Sequence, residues 1–198
     1  MTQKNPRIAK TAAAHPARRR HWWERDDLLF RRGRLYFGSA AVAELAGNAG
    51  TPLFLYRTAR VRENLIRLRN AFDQRSLPHK IFFAVKANHF PPLLTYVSLL
   101  RQCGADCCSP RELLSCLQVG FAPESISYTG TALSHEDWMC LLKHPGVSVN
   151  CDSLSALRQL GERSPGRRVG IRINPEIGIG YRSNPLLRYA SAKPCKFG

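Results

Sequence analysis

The chain has 198 residues, of which 44% are hydrophobic, and it carries 30 Lys and Arg against 14 Asp and Glu. This apolar content supports a packed core and excludes a wholly disordered or collagen-like chain. No apolar run approaches the ~18 residues that a membrane-spanning helix needs, so we exclude an integral membrane protein.

The first 34 residues are strongly basic, with ten Lys and Arg, three acidic residues and a formal charge of +7. Arg18–Arg20 precede Trp22 and Trp23 rather than an apolar run, so we predict no secretory signal and a cytoplasmic protein. An organelle transit peptide, which is basic and poor in acidic residues, is the alternative. Residues 1–50 are predicted to form a basic arm and lead-in. The tryptophans could stack on nucleic-acid bases, but no nucleic-acid-binding motif accompanies them, and we favour a solvated arm.

The seven cysteines include no pair at the C-x-x-C spacing of zinc or redox sites. We therefore predict no metal site. Small buried thiols in a reducing compartment are the expected role of these residues.

From residue 51 onward, short apolar runs begin 21 to 28 residues apart. They are Leu53–Tyr56, Ile81–Lys86, Ala105–Cys108, Ile126–Thr129, Val147–Cys151 and Val169–Ile173. Most are apolar at successive positions, as expected of parallel strands that are buried on both faces.

Helical patterns fill the gaps between these runs, and each has a recognisable start. The starts are predicted at Thr58, Pro91, Pro110, Ser134 and Ser153. Alternating strands and helices predict an α/β fold, either a doubly wound sheet or a (β/α) barrel. The steady spacing favours the barrel. A complete barrel takes ~250 residues, so we predict an incomplete one with about five barrel strands.

One lysine lies at the end of a strand, where parallel α/β proteins place their functional groups. The apolar run Ile81–Val85 leads directly into Lys86. An apolar wall would remove water from the amine and favour its neutral form, which an imine with a carbonyl cofactor requires. The alternative is a lysine that simply extends into solvent.

Two further charged residues lie on later strands and complete the candidate site. Asp106 belongs to the Ala105–Cys108 run, and Arg172 belongs to the Val169–Ile173 run. A buried arginine needs an anionic partner. That partner is either a carboxylate of the protein, Asp106 or Glu112, or a bound anionic ligand. An ion pair within the protein and cofactor binding can coexist.

The motifs of residues 51–198 occur in the order typical of one enzyme family. They are Thr51–Tyr56, Phe83–Asn88, Gly104–Asp106 with Ser109 and Glu112, Gly120–Ile126, Thr129–Gly130, Val149–Ser153, Arg172–Pro175 and Lys196–Gly198. In this series the chain resembles the fold-type III pyridoxal-phosphate decarboxylases, which act on diaminopimelate, ornithine or arginine and share the barrel of alanine racemase. The diaminopimelate branch is the most similar.

The resemblance implies that Lys86 forms an imine with pyridoxal 5′-phosphate, that Asp106 lies near both, and that Arg172 lines the barrel below them. It implies an amino-acid decarboxylase, with a diamino acid as the expected substrate, lysine biosynthesis as the pathway and a homodimer as the assembly. Gly180–Arg182 and Cys195 depart from the diaminopimelate pattern and leave the substrate open.

In the family, further parts of the active site follow the Lys196–Gly198 motif. They are a histidine over the cofactor ring, a Gly-rich phosphate loop, a Glu at the pyridine nitrogen, a Cys loop and a β-domain. We therefore expect residues 51–198 to be the truncated N-terminal part of a cofactor-binding barrel, inactive alone, with Leu53–Tyr56 as an orphan strand. The alternative is a non-catalytic, decarboxylase-like interaction protein whose basic arm binds nucleic acid.

Overall fold

The computed structural model describes residues 25–173, which divide between two compact units, one up to Leu55 and one from Tyr56. Within this range, no helix is long and apolar enough to cross a membrane. The predictions that concern Trp22 and Trp23, Gly180–Arg182, Cys195 and Lys196–Gly198 lie outside the described residues.

The first unit contains a small antiparallel sheet followed by a helix. Its elements are β1 (Leu28–Arg31), β2 (Arg34–Phe37), β3 (Ala40–Ala41) and α1 (Val42–Ala49). Arg32 and Gly33 form the two-residue turn between β1 and β2, and both have positive φ, as this kind of tight hairpin requires. Sequence analysis placed this segment in the basic arm and lead-in and predicted none of these elements.

The second unit is a five-stranded parallel sheet with its helices. The strands are β4 (Phe82–Ala84), β5 (Gly104–Cys107), β6 (Ile126–Tyr128), β7 (Ser148–Cys151) and β8 (Val169–Ile171). The helices are α2 (Thr58–Asp73), α3 (Pro91–Leu100), α4 (Pro110–Gln118), α5 (His135–Leu142) and α6 (Leu154–Arg163). The strands pair in chain order without the reversal of a doubly wound sheet. The sheet is therefore part of a (β/α) barrel, as predicted.

One of the six predicted strands is absent. Residues 53–57 belong to neither a helix nor a strand, and no pairing is formed by Leu53–Tyr56 within the described residues. A strand needs a partner for its backbone groups. The segment has no partner strand among residues 25–173, as expected of an orphan strand, and without a partner it is not part of a sheet.

Three of the predicted helix starts are capped by serine. Ser109, Ser134 and Ser153 each accept a hydrogen bond from the backbone N–H three residues further on, at 3.2, 3.2 and 3.1 Å. These bonds satisfy donors that the first turn of a helix leaves free. The start of α2 differs from the prediction, since its cap residue is Arg57 rather than Thr58 and has no side-chain capping bond.

The core of this unit lies between one face of the sheet and the helices. Strand residues Ala105, Cys107, Ile126, Tyr128, Val149 and Cys151 cluster there with Val85, which directly follows β4, and with helix residues such as Leu94, Leu113, Trp138 and Leu160, and all are buried. Side chains alternate between the faces of a strand. The residues between these positions therefore lie on the opposite face, which is called the inner face below. It carries polar groups, so the prediction of strands that are apolar on both faces was wrong.

The cysteines only partly match their predicted role. Cys107, Cys116 and Cys151 are buried, whereas Cys108 is exposed. The sulfur atoms of Cys107 and Cys116 are 3.6 Å apart, and both residues are free thiols.

The last strand is anchored by an arginine that precedes it. Arg167 donates from its guanidinium to the backbone carbonyls of Leu141, His144 and Val147, at 3.5, 3.2 and 2.7 Å. These carbonyls belong to the end of α5 and to the turn that leads into β7. Burial lowers the pKa of Arg167. The side chain therefore connects the segment before β8 to the end of α5 and to the turn that follows it.

Candidate active site at the carboxyl ends of the strands

Lys86 lies directly beyond the end of β4, in a single 3₁₀ turn that spans Val85–Ala87. Val85 is fully buried and fixes this turn to the core. The backbone N–H of Asn88 closes the turn on the Val85 carbonyl at 3.0 Å, and the Asn88 side chain accepts from the N–H of Phe90 at 3.0 Å. Lys86 itself is exposed, so the shielding from water that sequence analysis expected is not present in the described residues.

Asp106 lies on the inner face of β5, between the two neighbouring strands. Its Cα partners are Ala84 on β4 and Ser127 on β6. Burial raises the pKa of the Asp106 carboxyl, and the positive charge of Lys86 opposes that rise. The charge of Arg172 and the neighbouring Ser127 hydroxyl also lower this pKa, whereas the negative charge of Glu112 raises it.

Arg172 directly follows β8 and is half-buried. Its backbone N–H donates to the carbonyl of Cys151 at 2.8 Å, which extends the parallel pairing with β7 by one residue. Lys86 follows β4, Asp106 lies on β5 and Arg172 follows β8, so all three predicted residues lie toward the same edge of the sheet. This is the carboxyl edge, as the parallel topology dictates.

Sequence analysis missed three polar residues on the inner face beside Asp106. The Asn150 side-chain amide donates to the hydroxyl oxygens of Ser127 and Thr129, at 2.9 and 3.0 Å. A signal for them was available, because polar and apolar residues alternate from Ile126 to Thr129. The prediction of an apolar run over Ile126–Thr129 was therefore wrong at Ser127 and Thr129.

Glu112 has a local role at the start of α4. Its carboxylate accepts from the backbone N–H of Cys108 at 2.8 Å and from the Cys108 thiol at 3.4 Å. Burial, followed by this bond, raises the pKa of Cys108. The contact holds the loop between β5 and α4 next to Lys86, whose positive charge also acts on Cys108.

A cleft of about 950 Å³ opens at the opposite, amino end of the sheet. Its walls include the strand starts Phe82 and Gly104 and the cations Arg69, Lys80 and Arg101. None of the three predicted site residues lines it. Between residues 25 and 173, no cluster of His, Cys, Asp and Glu could hold a metal ion.

Comparison with known proteins relates this architecture to one family. Residues 58–198 match the family described as "Pyridoxal-dependent decarboxylase, pyridoxal binding domain". The diaminopimelate decarboxylase of Methanothermobacter thermautotrophicus is 36% identical over 170 residues, which cover 84% of this chain and 38% of that protein. The diaminopimelate decarboxylase of Aquifex aeolicus is 30% identical over a region that covers 86% of this chain and 40% of that protein.

Solved structures give the same result. A crystal structure from Aquifex aeolicus has a TM-score of 0.66 and 30% identity, and covers 77% of this chain and 38% of the other. The Helicobacter pylori diaminopimelate decarboxylase complexed with L-lysine has a TM-score of 0.62 and 28% identity, and the match covers 68% of this chain and 34% of the other. The chain spans about two fifths of the length of these curated relatives. It belongs to the pyridoxal-dependent decarboxylase family, whose cofactor is pyridoxal phosphate, through the pyridoxal-binding domain.

Proposed function

We propose that this chain contributes the lysine-bearing wall of a pyridoxal-phosphate-dependent amino-acid decarboxylase that acts on a diamino acid. The observation that carries the proposal is the position of Lys86 beside Asp106, at the carboxyl edge of a parallel sheet that the family match includes. The cytoplasm remains the compartment that we predict.

The groups at this edge fit an aldehyde cofactor. The exposed Lys86 offers an accessible amine, and the polar inner face beside it carries Asp106, Asn150 and Arg172 rather than apolar side chains. Lys86 would hold the aldehyde carbon of the cofactor. Among residues 25–173 we assign no group to the cofactor's phosphate or to its ring nitrogen.

When bound, pyridoxal phosphate supplies an electron sink for the electron pair that remains when the substrate loses carbon dioxide. The chain's own part is to provide a neutral amine at Lys86, because an ammonium group cannot attack a carbonyl carbon. Asp106, whose Cα partner Ala84 lies two residues before Lys86, places a carboxyl group in the electrostatic range of that amine.

We further propose that decarboxylation needs barrel strands beyond the five described, whether they belong to a longer form of this chain or to a separate polypeptide. Each of the outer strands β4 and β8 has one neighbour within the described sheet. Ile171 on β8 is 65% exposed, and Phe82 on β4 is 37% exposed. The additional strands would cover both residues. We expect the completed enzyme to form a homodimer.

Borohydride trapping tests the assignment of Lys86. The 198-residue chain is incubated with pyridoxal phosphate, reduced, digested and analysed by mass spectrometry. We expect a reduced pyridoxyl group on Lys86, no such group in Lys86→Ala, and an unchanged result in the matched control Lys80→Ala, which removes an exposed lysine just before β4.

The same trapping is then repeated with the C-terminal segment of a diaminopimelate decarboxylase added in trans. Absence of label at Lys86 under both conditions would refute the proposal. If label is found, release of carbon dioxide from diaminopimelate, ornithine and arginine by the completed enzyme identifies the substrate. We expect diaminopimelate to be used best.

The alternative function is that of a non-catalytic interaction protein, and the net charge of +16 is the observation that favours it. This protein would bind nucleic acid through its basic arm, with an affinity that falls steeply as salt increases. An unlabelled Lys86 together with such a salt dependence would favour this alternative over the decarboxylase.

A further inference from the structure

We propose that Cys107 and Cys116 are a redox-active pair of thiols, which a peroxide closes into a disulfide bond between β5 and α4. The proposal goes beyond the proposed function, because it depends on neither a cofactor nor Lys86. It concerns the helix-facing side of the sheet, whereas the candidate active site lies at the carboxyl edge.

The first step of the argument is the distance between the two sulfur atoms. Cys107 is the last residue of β5, Cys116 lies in the last turn of α4, and their Sγ atoms are 3.6 Å apart. In a disulfide the sulfur atoms are about 2.05 Å apart, so the two side chains must together move by about 1.5 Å. Both residues are free thiols in the structure.

The second step is the environment that the two thiols share. Both side chains belong to the apolar core and are almost completely buried. The Cys107 thiol donates a hydrogen bond to the Cys116 sulfur. This bond lowers the pKa of Cys116, which burial opposes, and the same bond followed by burial raises the pKa of Cys107. Since the thiolate is the form that reacts, Cys116 is the attacking sulfur and Cys107 keeps its proton.

The reaction balances with hydrogen peroxide as the oxidant. The Cys116 thiolate attacks one peroxide oxygen, the O–O bond breaks and hydroxide leaves, so that a sulfenic acid forms on Cys116. The Cys107 sulfur then attacks the Cys116 sulfur, the S–O bond breaks, and water leaves. In total, two thiols lose two electrons and two protons, and one peroxide is reduced to two molecules of water.

Cys108 is the exposed neighbour and the main competitor for the oxidant. Its thiol donates to the Glu112 carboxylate at 3.4 Å, and burial followed by this bond raises its pKa. Cys108 is therefore held in the protonated form, which is a poor nucleophile. Burial likewise raises the pKa of Cys103 and of Cys151. Exposure alone thus does not select the reactive thiol.

Burial of the pair determines how the oxidant reaches it. Hydrogen peroxide is small and uncharged, and the ends of helices open more easily than their centres. Cys116 lies in the last turn of α4, so local opening of this turn admits the peroxide. In a reducing compartment the bond would be transient, because cellular thiol reductants reverse it.

The disulfide would fasten a unit that carries part of the candidate site. Asp106 directly precedes Cys107 on β5. Glu112, in the first turn of α4, holds the backbone N–H of Cys108 at 2.8 Å. Oxidation therefore joins β5 to α4 behind these groups, on the side that faces the core.

Peptide mapping of the fully reduced 198-residue chain after exposure to hydrogen peroxide tests the proposal. Remaining thiols are alkylated, and trypsin then places Cys107 in the peptide 102–111 and Cys116 in the peptide 112–143. We expect these peptides to be joined, to lack two hydrogen atoms relative to their sum, and to separate on treatment with a dithiol reductant. Because they also contain Cys103, Cys108 and Cys140, fragmentation of the joined peptides assigns the bond.

Three variants and one change of condition isolate the pair. Cys107→Ala and Cys116→Ala should each abolish the cross-link completely. Cys108→Ala is the matched control, since it removes the adjacent exposed thiol and should leave the cross-link intact. Oxidation in urea separates folded geometry from closeness in sequence, because the unfolded chain presents Cys107 and Cys108 equally to Cys116. The preference for Cys107 should therefore disappear in urea.

The outcomes are distinct. A reversible bond between Cys107 and Cys116 that is selective in the folded chain supports the proposal. It is overturned by the absence of a cross-link, by a bond from Cys116 to Cys108 instead, by the same mixture of bonds with and without urea, or by irreversible sulfinic or sulfonic acid at either residue. If an alanine variant at Cys107 or Cys116 does not fold, as judged by circular dichroism, the maps of the unsubstituted chain and of Cys108→Ala still decide.

Discussion

The two faces of the five-stranded sheet differ in burial, polarity and role. On the helix-facing side, residues such as Ile126 and Val149 are almost completely removed from water and belong to one continuous apolar core. On the inner face, Asp106, Ser127 and Asn150 are all half-buried. Asn150 and Ser127 are joined by a hydrogen bond, and Asp106 is an ionisable group. Adjacent residues of one strand therefore serve different purposes.

The difference teaches that stability and chemistry can be altered separately in this chain. Burial of apolar surface is the main stabilising contribution to a fold, and here it is concentrated between the sheet and its helices. The polar groups of the inner face contribute less to folding, because hydrogen bonds between half-exposed groups largely replace bonds to water. Substitutions on the two faces should therefore give distinguishable results.

The largest effect on stability is expected on the helix-facing side of β6. Ile126→Ala should lower the free energy of unfolding by about 2–5 kcal/mol, because it opens a cavity in a fully buried site. Its neighbour Ser127→Ala should cost about 1 kcal/mol or less. Urea denaturation of both variants measures the contrast, and equal losses would contradict the division between the faces.

A smaller loss is expected where the inner face is tightly packed. Gly104 leaves no room for a Cβ atom, which would overlap the Ser125 carbonyl oxygen and lie 2.8 Å from the Phe82 ring. Gly104→Ala should therefore lower the unfolding free energy by about 1–3 kcal/mol. Gly161→Ala is the control, since Gly161 lies in α6 with open space around it; a neutral or stabilising effect is expected there.

A loss of about 1 kcal/mol is expected at the start of α5. Ser134 and Asp137 form reciprocal hydrogen bonds with each other's backbone N–H, at 3.2 and 2.8 Å, and Ser134→Ala removes one of them. Thermal denaturation should show this loss. Ser155→Ala, at an exposed position within α6, provides the comparison and should leave stability almost unchanged.

The smallest effect should come from Asp106, and its sign depends on pH. Because burial raises the pKa of this carboxyl in the folded chain, the folded state binds a proton more tightly than the unfolded state. The resulting stabilisation is present at low pH and is lost as the pH rises through the folded pKa. Asp106→Asn should therefore be more stable than the unsubstituted chain at pH 7.

The same comparison at lower pH checks the cause. The advantage of Asp106→Asn should shrink as the pH falls below the folded pKa of Asp106, since the native carboxyl is then neutral too. Urea denaturation at both pH values provides the measurement. An advantage that grows at low pH would show that the carboxylate is stabilised, not destabilised, by its surroundings.

Much of the second unit could be predicted from sequence because its signals are local. Ser109, Ser134 and Ser153 precede helices that they cap, and five apolar runs became the five paired strands. The position of Lys86 at a strand end followed from the length of the preceding run. Each of these features depends on a few consecutive residues.

Features that depend on distant partners were missed. Asn150 is 21 residues from Thr129 and 23 residues from Ser127 along the chain, so the register of three strands is needed to see that they meet. The first hairpin was missed because its basic composition was interpreted as a solvated arm.

Arg167 gives the end of the sheet an unusual dependence on one side chain. The guanidinium lies before β8 and binds three carbonyls that belong to other elements, whereas Arg172 emerges from the far end of the same strand. A three-residue strand transmits a displacement of its start to its finish. A substitution of Arg167 would consequently displace the Arg172 cation near Asp106. A mutational screen for loss of activity would therefore detect Arg167, although this side chain does not contact the site.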